Sequence, residues 1–132
     1  MLKKSQMMAL CCLFVVALAY ATEESSWLTR SGYYRISFTS KLVPIPINRI
    51  HSWVVHVEDA DGAPVENATI AVTGGMPAHD HGLPTDPRTT RSLGNGDYLL
   101  EGVRFHMNGD WELLVTVEAD GRRDTVVVSL TI

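Results

Sequence analysis

Six stretches of the chain alternate apolar and polar side chains with a period of two. No stretch after residue 21 repeats with the 3.6-residue period of a helix. "YYRISFTSKL" sets Tyr34, Ile36 and Phe38 against Arg35, Ser37 and Thr39, and "SWVVHVED" sets Trp53, Val55 and Val57 against Val54, His56 and Glu58. "ATIAVTG", "DYLLEGVRF", "DWELLVTVEA" and "DTVVVSLTI" follow the same rule. Alternate residues of a strand face opposite ways, so each stretch reads as a strand with one buried face. The turns are equally legible. "DADG" at 59–62 follows one strand and "LGNGD" at 93–97 precedes another. Asn108-Gly109 and Asp120-Gly121 are dipeptides favoured by two-residue hairpin loops, whose central residues take positive φ, so two consecutive hairpins built from three strands are expected here. "LVPIPINRI" carries Pro44 and Pro46, which cannot donate to a ladder, and is expected to be an edge or a connection.

These features predict an all-β protein, an antiparallel immunoglobulin-like β-sandwich of six to seven strands. Trp111, Leu113, Val115 and Val117 share one face of their strand, and Val126, Val128 and Leu130 share one face of another. They are expected to form much of the core, each such side chain contributing about 1.5–3 kcal/mol on burial. Trp111 reads as a core anchor.

The first residues have a different character. "MLKK" is positive, "MMALCCLFVVALA" is apolar, and "AYA" supplies small residues, the pattern of a secretory signal peptide cut after Ala21. The polar "TEESS" arrives too early for a span of about 20 apolar residues. Residues 1–21 are therefore read as a signal peptide and 22–132 as one β-sandwich domain, periplasmic or secreted. The membrane is met only through the signal segment, should it stay uncleaved. Cleavage removes Cys11 and Cys12, so the domain relies on its core without disulfides. It also removes Lys3 and Lys4, leaving 9 basic against 15 acidic residues and a net charge of −6. With no basic patch, nucleic acid is excluded as a partner.

One loop carries the chemistry. "GGMPAHDHGLPTDP" at 74–87 gathers Met76, His79 and His81 between glycines and prolines. In an extended run His79 and His81 would project together with Asp80 turned aside. Pro77 and Pro84 limit the conformations to be ordered when a ligand binds. Imidazole binds copper in either oxidation state, and a thioether favours Cu(I). "FHMNGDW" adds His106 and Met107, which, as neighbours on a strand, would face opposite ways. His51 and His56 read as surface or satisfied core residues.

The stretches "EDADGAPVENATIAV", "MPAHDHG" and "GNGDYLLEGVRFHMNGDWELLVTV" together resemble the YtkA-like/FixH-like family of small exported or membrane-anchored bacterial proteins. The resemblance covers about residues 51 to 118, and its two motifs in the right order are specific where either alone would be weak. It implies an immunoglobulin-like sandwich in a bacterial envelope and an association with copper handling or cytochrome oxidase assembly, without a firm activity. It carries over Met76, Pro77, His79, His81 and Gly82, then Phe105, Met107, Gly109 and Trp111. His106 falls at a variable position, and Asp80 stands where glycine is frequent.

The expected function is copper storage or delivery. Met76, His79 and His81 are the primary ligands, Met107 a fourth, and His106 a further candidate. The alternative is an interaction module without metal, docking through its loops or an open strand edge. Its partner would be another envelope protein, where the first reading implies a copper-receiving one. Catalysis is not expected. No Gly-x-Ser-x-Gly elbow, paired catalytic carboxylates or glycine-rich phosphate loop appears in the sequence.

Overall fold

A computed structural model describes residues 25–132. The signal-peptide reading, with Cys11 and Cys12, lies outside the described residues. The alternating stretches form β2 (Tyr34–Ser40), β3 (His51–Asp59), β4 (Thr69–Met76), β7 (Asp97–Val103), β8 (Asp110–Ala119) and β9 (Arg122–Thr131). Three more strands bring the number among the described residues to nine: β1 (Ser26–Leu28), β5 (His81–Gly82) and β6 (Arg88–Gly94). The first two are too short to show a period. The third, "RTTRSLG", has no buried residue and is held by its pairing with β7.

All strand pairings are antiparallel, in the order β1-β2-β3-β7-β6-β4-β8-β9, with β5 on β4. A single residue pair, Ala71 with Arg88, joins β6 to β4. The path therefore folds as two layers, β1-β2-β3-β7-β6 over β5-β4-β8-β9. At the opposite seam the Arg30 amide donates to the Thr125 carbonyl at 2.8 Å, so the sandwich is almost a closed barrel. Ile36, Val55, Val57 and Leu100 from one layer meet Leu113, Val115, Val117 and Val128 from the other, all essentially without exposed surface. Trp111 is fully buried, a core anchor as expected.

One of the two expected hairpins exists. Asp120 and Gly121, at φ 50° and 71°, join β8 to β9. Asn95-Gly96, at 55° and 76°, makes a second such loop between β6 and β7. Asn108-Gly109 does not make one, because β7 pairs with β3 and β6 while β8 pairs with β4 and β9. Residues 104–109 instead cross from one layer to the other, and Gly109 takes φ 137°, outside the range of a hairpin turn. The reason is Phe105. Its side chain is fully buried and draws the crossing segment into the gap between layers. Residues 41–50 form the expected connection, and it runs alongside this segment. Ile47 bridges Phe105, and the Asn48 amide donates to the Phe105 carbonyl at 2.8 Å.

The far end of the sandwich is held by polar contacts. The Tyr34 hydroxyl donates to the Ala119 carbonyl at 2.8 Å, and Asp124, buried on β9, accepts from the Ser31 amide at 2.9 Å and the Thr125 amide at 2.9 Å. Burial alone would raise the Asp124 carboxyl, but hydrogen bonds from Thr29, Thr125, Ser31 and Tyr33 outweigh it and hold the group below the usual carboxylate range. A lowered folded value means that this contribution is present at pH above the unfolded value of about 3.9 and is lost as pH falls through the folded one. Asp124→Asn is therefore expected to cost about 1–3 kcal/mol at neutral pH. In urea unfolding, the gap from the wild type should close as pH drops below about 4.

Candidate functional site

The histidine loop begins where β4 ends in two glycines. A Cβ at Gly75 would run into the carbonyl oxygen of His81, so β5 can return this close only opposite glycine. The return pairs Gly75 with Gly82 and Met76 with His81. Between them Pro77–His79 forms one 3-10 turn with proline in its first positions, and Asp80 closes it at φ 51°. That left-handed position favours glycine and is tolerated by Asp, which accounts for Asp80 where glycine is frequent. The loop is thus a turn and not an extended run. The two imidazoles still come together, stacked at 14° with centroids 5.7 Å apart.

The crossing segment supplies the third ring. His106 lies 4.6 Å from His81, and both rest on Trp111, at 5.3 Å and 6.0 Å respectively. Trp111 is fixed in turn by its indole N–H, which donates to the Met107 carbonyl at 3.2 Å. The three imidazoles form a row, His79 to His81 to His106, from exposed to half-buried. Nδ1 of His81 and Nδ1 of His106 are buried without a hydrogen-bond partner.

The methionines sit differently. Met76 is 2 % exposed, belongs to the core, and places its methyl against Gly109, 2.6 Å from where a Cβ would stand. As the cross-strand partner of His81 it shares that residue's face of the sheet. Met107 is half-buried, its side chain packed against the core. The imidazoles form a row and not a cage: among the described residues, no three His, Cys, Asp or Glu side chains are already grouped to hold an ion. A concavity of about 420 Å³ lies beside the turn, lined by Gly75, Pro77, Asp80, His81, Leu114 and Val127 among others.

The other two histidines lie apart from the row. His51 is buried, with Nδ1 3.0 Å from the Arg49 carbonyl and its ring packed near Trp53 and Phe105, while its Nε2 is buried without a hydrogen-bond partner, so it is a core residue satisfied at one nitrogen only. His56 stands on the outer face between Asp97, 2.6 Å from Nδ1, and Glu58, 3.4 Å from Nε2. Burial would lower this imidazole, but the two carboxylates together hold it above its ordinary value. Sequence reasoning named the ring-bearing residues, and the glycines at 74, 75 and 82 mark the turn that the structure shows, but it missed the part of Trp111 in arranging the rings.

The model of the YtkA-like family matches residues 31–116, which include both the histidine turn and the crossing segment. The chain belongs to the YtkA-like family. Among solved structures, it is similar to a DUF4426 family protein from Pseudomonas aeruginosa PAO1, with a TM-score of 0.58 and 18% identity over 83% of this chain and 96% of that one. At that identity the likeness is one of fold, and it matches the sandwich described above. The ZirS C-terminal domain overlays with a TM-score of 0.44 and 14% identity, over 98% of this chain and 86% of that one. Comparison with curated proteins gives no match.

The close approach of β5 to β4 has a direct test. Gly75→Ala is expected to push β5 off β4 and to cost about 1–3 kcal/mol in urea unfolding, the usual penalty of an overpacked site. The amide signals of His81 and Gly82 should move furthest in the NMR spectrum.

Proposed function

We propose that this domain binds copper in the cell envelope, for storage or delivery, through His79, His81 and His106. Met76 and Met107 are the thioethers available to complete the set. The observation that carries the reading is the pair of buried, unpartnered Nδ1 atoms on His81 and His106. A buried polar atom left unsatisfied costs about 1–3 kcal/mol, and a bound cation would satisfy a ring nitrogen's lone pair at no such cost. Imidazoles with thioethers nearby suit copper better than the hard cations, which prefer oxygen. Residues 22–132 contain no cysteine, so no thiolate competes for the ion. An open row with His79 exposed at its outer end favours transfer of the ion over permanent retention.

A specific observation favours a second reading, a module that docks to another envelope protein. Val43 is 90% exposed and Ile50 62%, both in the connection that runs beside the crossing segment. Capture of a partner from an envelope extract, unaffected by chelator and lost in Val43→Ser/Ile50→Ser, would support it. The two readings combine if the partner receives the ion.

Titration with Cu(I) and Cu(II) against competing chelators tests the first reading. His81→Ala and His106→Ala are each expected to weaken binding at least about tenfold, since even a group that only supports a metal ligand costs that much when it is removed. Affinity should also be lower in acid than at neutral pH, because a protonated imidazole has no lone pair to give. Unchanged affinity in a His81→Ala/His106→Ala double variant would remove the proposal.

A further inference from the structure

Trp111 has no exposed surface and is enclosed by Phe105 at 5.1 Å, His106 at 5.3 Å and His81 at 6.0 Å. Among the described residues it is the one indole packed against both inner imidazoles. Its N–H is already given to the Met107 carbonyl at 3.2 Å, and an indole nitrogen accepts nothing. What the ring has left to offer its neighbours is a π-system, negative on its faces.

Hard donors are held away from this side of β8. Asp110 and Glu112, which flank Trp111 in sequence, are exposed, while Trp111 and Leu113 point into the core. Asp110 also accepts from the Thr131 hydroxyl at 2.8 Å. Inside are the buried Nδ1 atoms of His81 and His106 and the core thioether of Met76, the cross-strand partner of His81. A cation is attracted to an aromatic face, most strongly to that of tryptophan, and more so away from water. Soft donors select Cu(I), whereas Cu(II) favours a tetragonal set of nitrogen and oxygen ligands.

We propose that Trp111 is the wall of the candidate copper site and the residue that makes it select Cu(I) over Cu(II). The inference rests on the copper reading and adds to it the oxidation state and the side chain that sets it. An ion shared by the two inner imidazoles is confined to rings whose centroids are 4.6 Å apart, and both rings rest on the indole. The indole attracts the charge and offers no lone pair. It also shuts out the water that would complete a tetragonal set, since an apolar shell controls solvent access to a metal. Cu(I), content with few soft ligands, is favoured on both counts.

Near-ultraviolet absorption and the indole N–H signals in the NMR spectrum, followed as Cu(I) is added to the unaltered protein, read this contact without any substitution. The expected result is a new band to the red of ordinary indole absorption and a shifted Trp111 signal, with Trp27 and Trp53 unmoved. Competition against chelators for each oxidation state then reads the selectivity. Trp111→Leu keeps an apolar wall without π electrons. It should weaken Cu(I) binding about three- to thirtyfold, the span of a desolvated cation–π contact, and leave Cu(II) binding no weaker. Trp111→Phe, with a weaker face, should fall between. The proposal is overturned if Cu(I) binds with indole absorption unchanged. It is equally overturned if the variants lose Cu(I) and Cu(II) alike, since Trp111 would then only position the imidazoles. Both results leave the copper reading standing, whereas an unaltered protein that binds neither ion removes the two together.

Discussion

Phe105 has no exposed surface, and its ring meets Trp53 at 5.8 Å and Trp111 at 5.1 Å. This contact holds together an end of the sandwich where the two layers share almost no backbone pairing. It draws residues 104–109 across the gap, gives the connection from β2 to β3 a strand-like partner in the Phe105 carbonyl, and delivers His106 to the rim. Tertiary burial has overruled local turn chemistry here. An Asn-Gly dipeptide that would otherwise close a hairpin is stretched, with Gly109 at φ 137° and the Met76 methyl packed against it.

The candidate site inherits its geometry from that end. His81 arrives because Gly75 lets β5 close on β4, and His106 arrives because Phe105 is buried, so two independent packing constraints meet at Trp111. The aromatic floor is rigid, since its indole is both fully buried and hydrogen-bonded. Only His79, at the tip of the turn, is exposed. The row is packed at its inner end and open to solvent at its outer end, which is the arrangement the proposed transfer of an ion would use.

Much of the fold could be read from the chain. Wherever a strand buries one face and exposes the other, alternation marks it, and β2, β3, β4, β7, β8 and β9 all do so. The strands that escaped notice lack that contrast. β5 has two residues, and β6 buries nothing. The site was legible as a set of residues and not as an arrangement. His79 and His81 do come together, but through a 3-10 turn and a left-handed Asp80 and not through the alternation of an extended run. His106 stood apart because its neighbour lies on another strand's far side, and no local pattern reports a crossing between layers. Met76 looked like a loop residue, yet it ends β4 inside the core.

The central claim is that two inner imidazoles hold nitrogen atoms free for a soft cation. Long-range nitrogen–proton NMR of the histidine rings, recorded as one equivalent of diamagnetic Cu(I) is added, addresses it atom by atom. The account predicts large shifts at Nδ1 of His81 and His106, with the rings of His51 and His56 unmoved. Inner-ring nitrogens that keep their positions through the addition would contradict it.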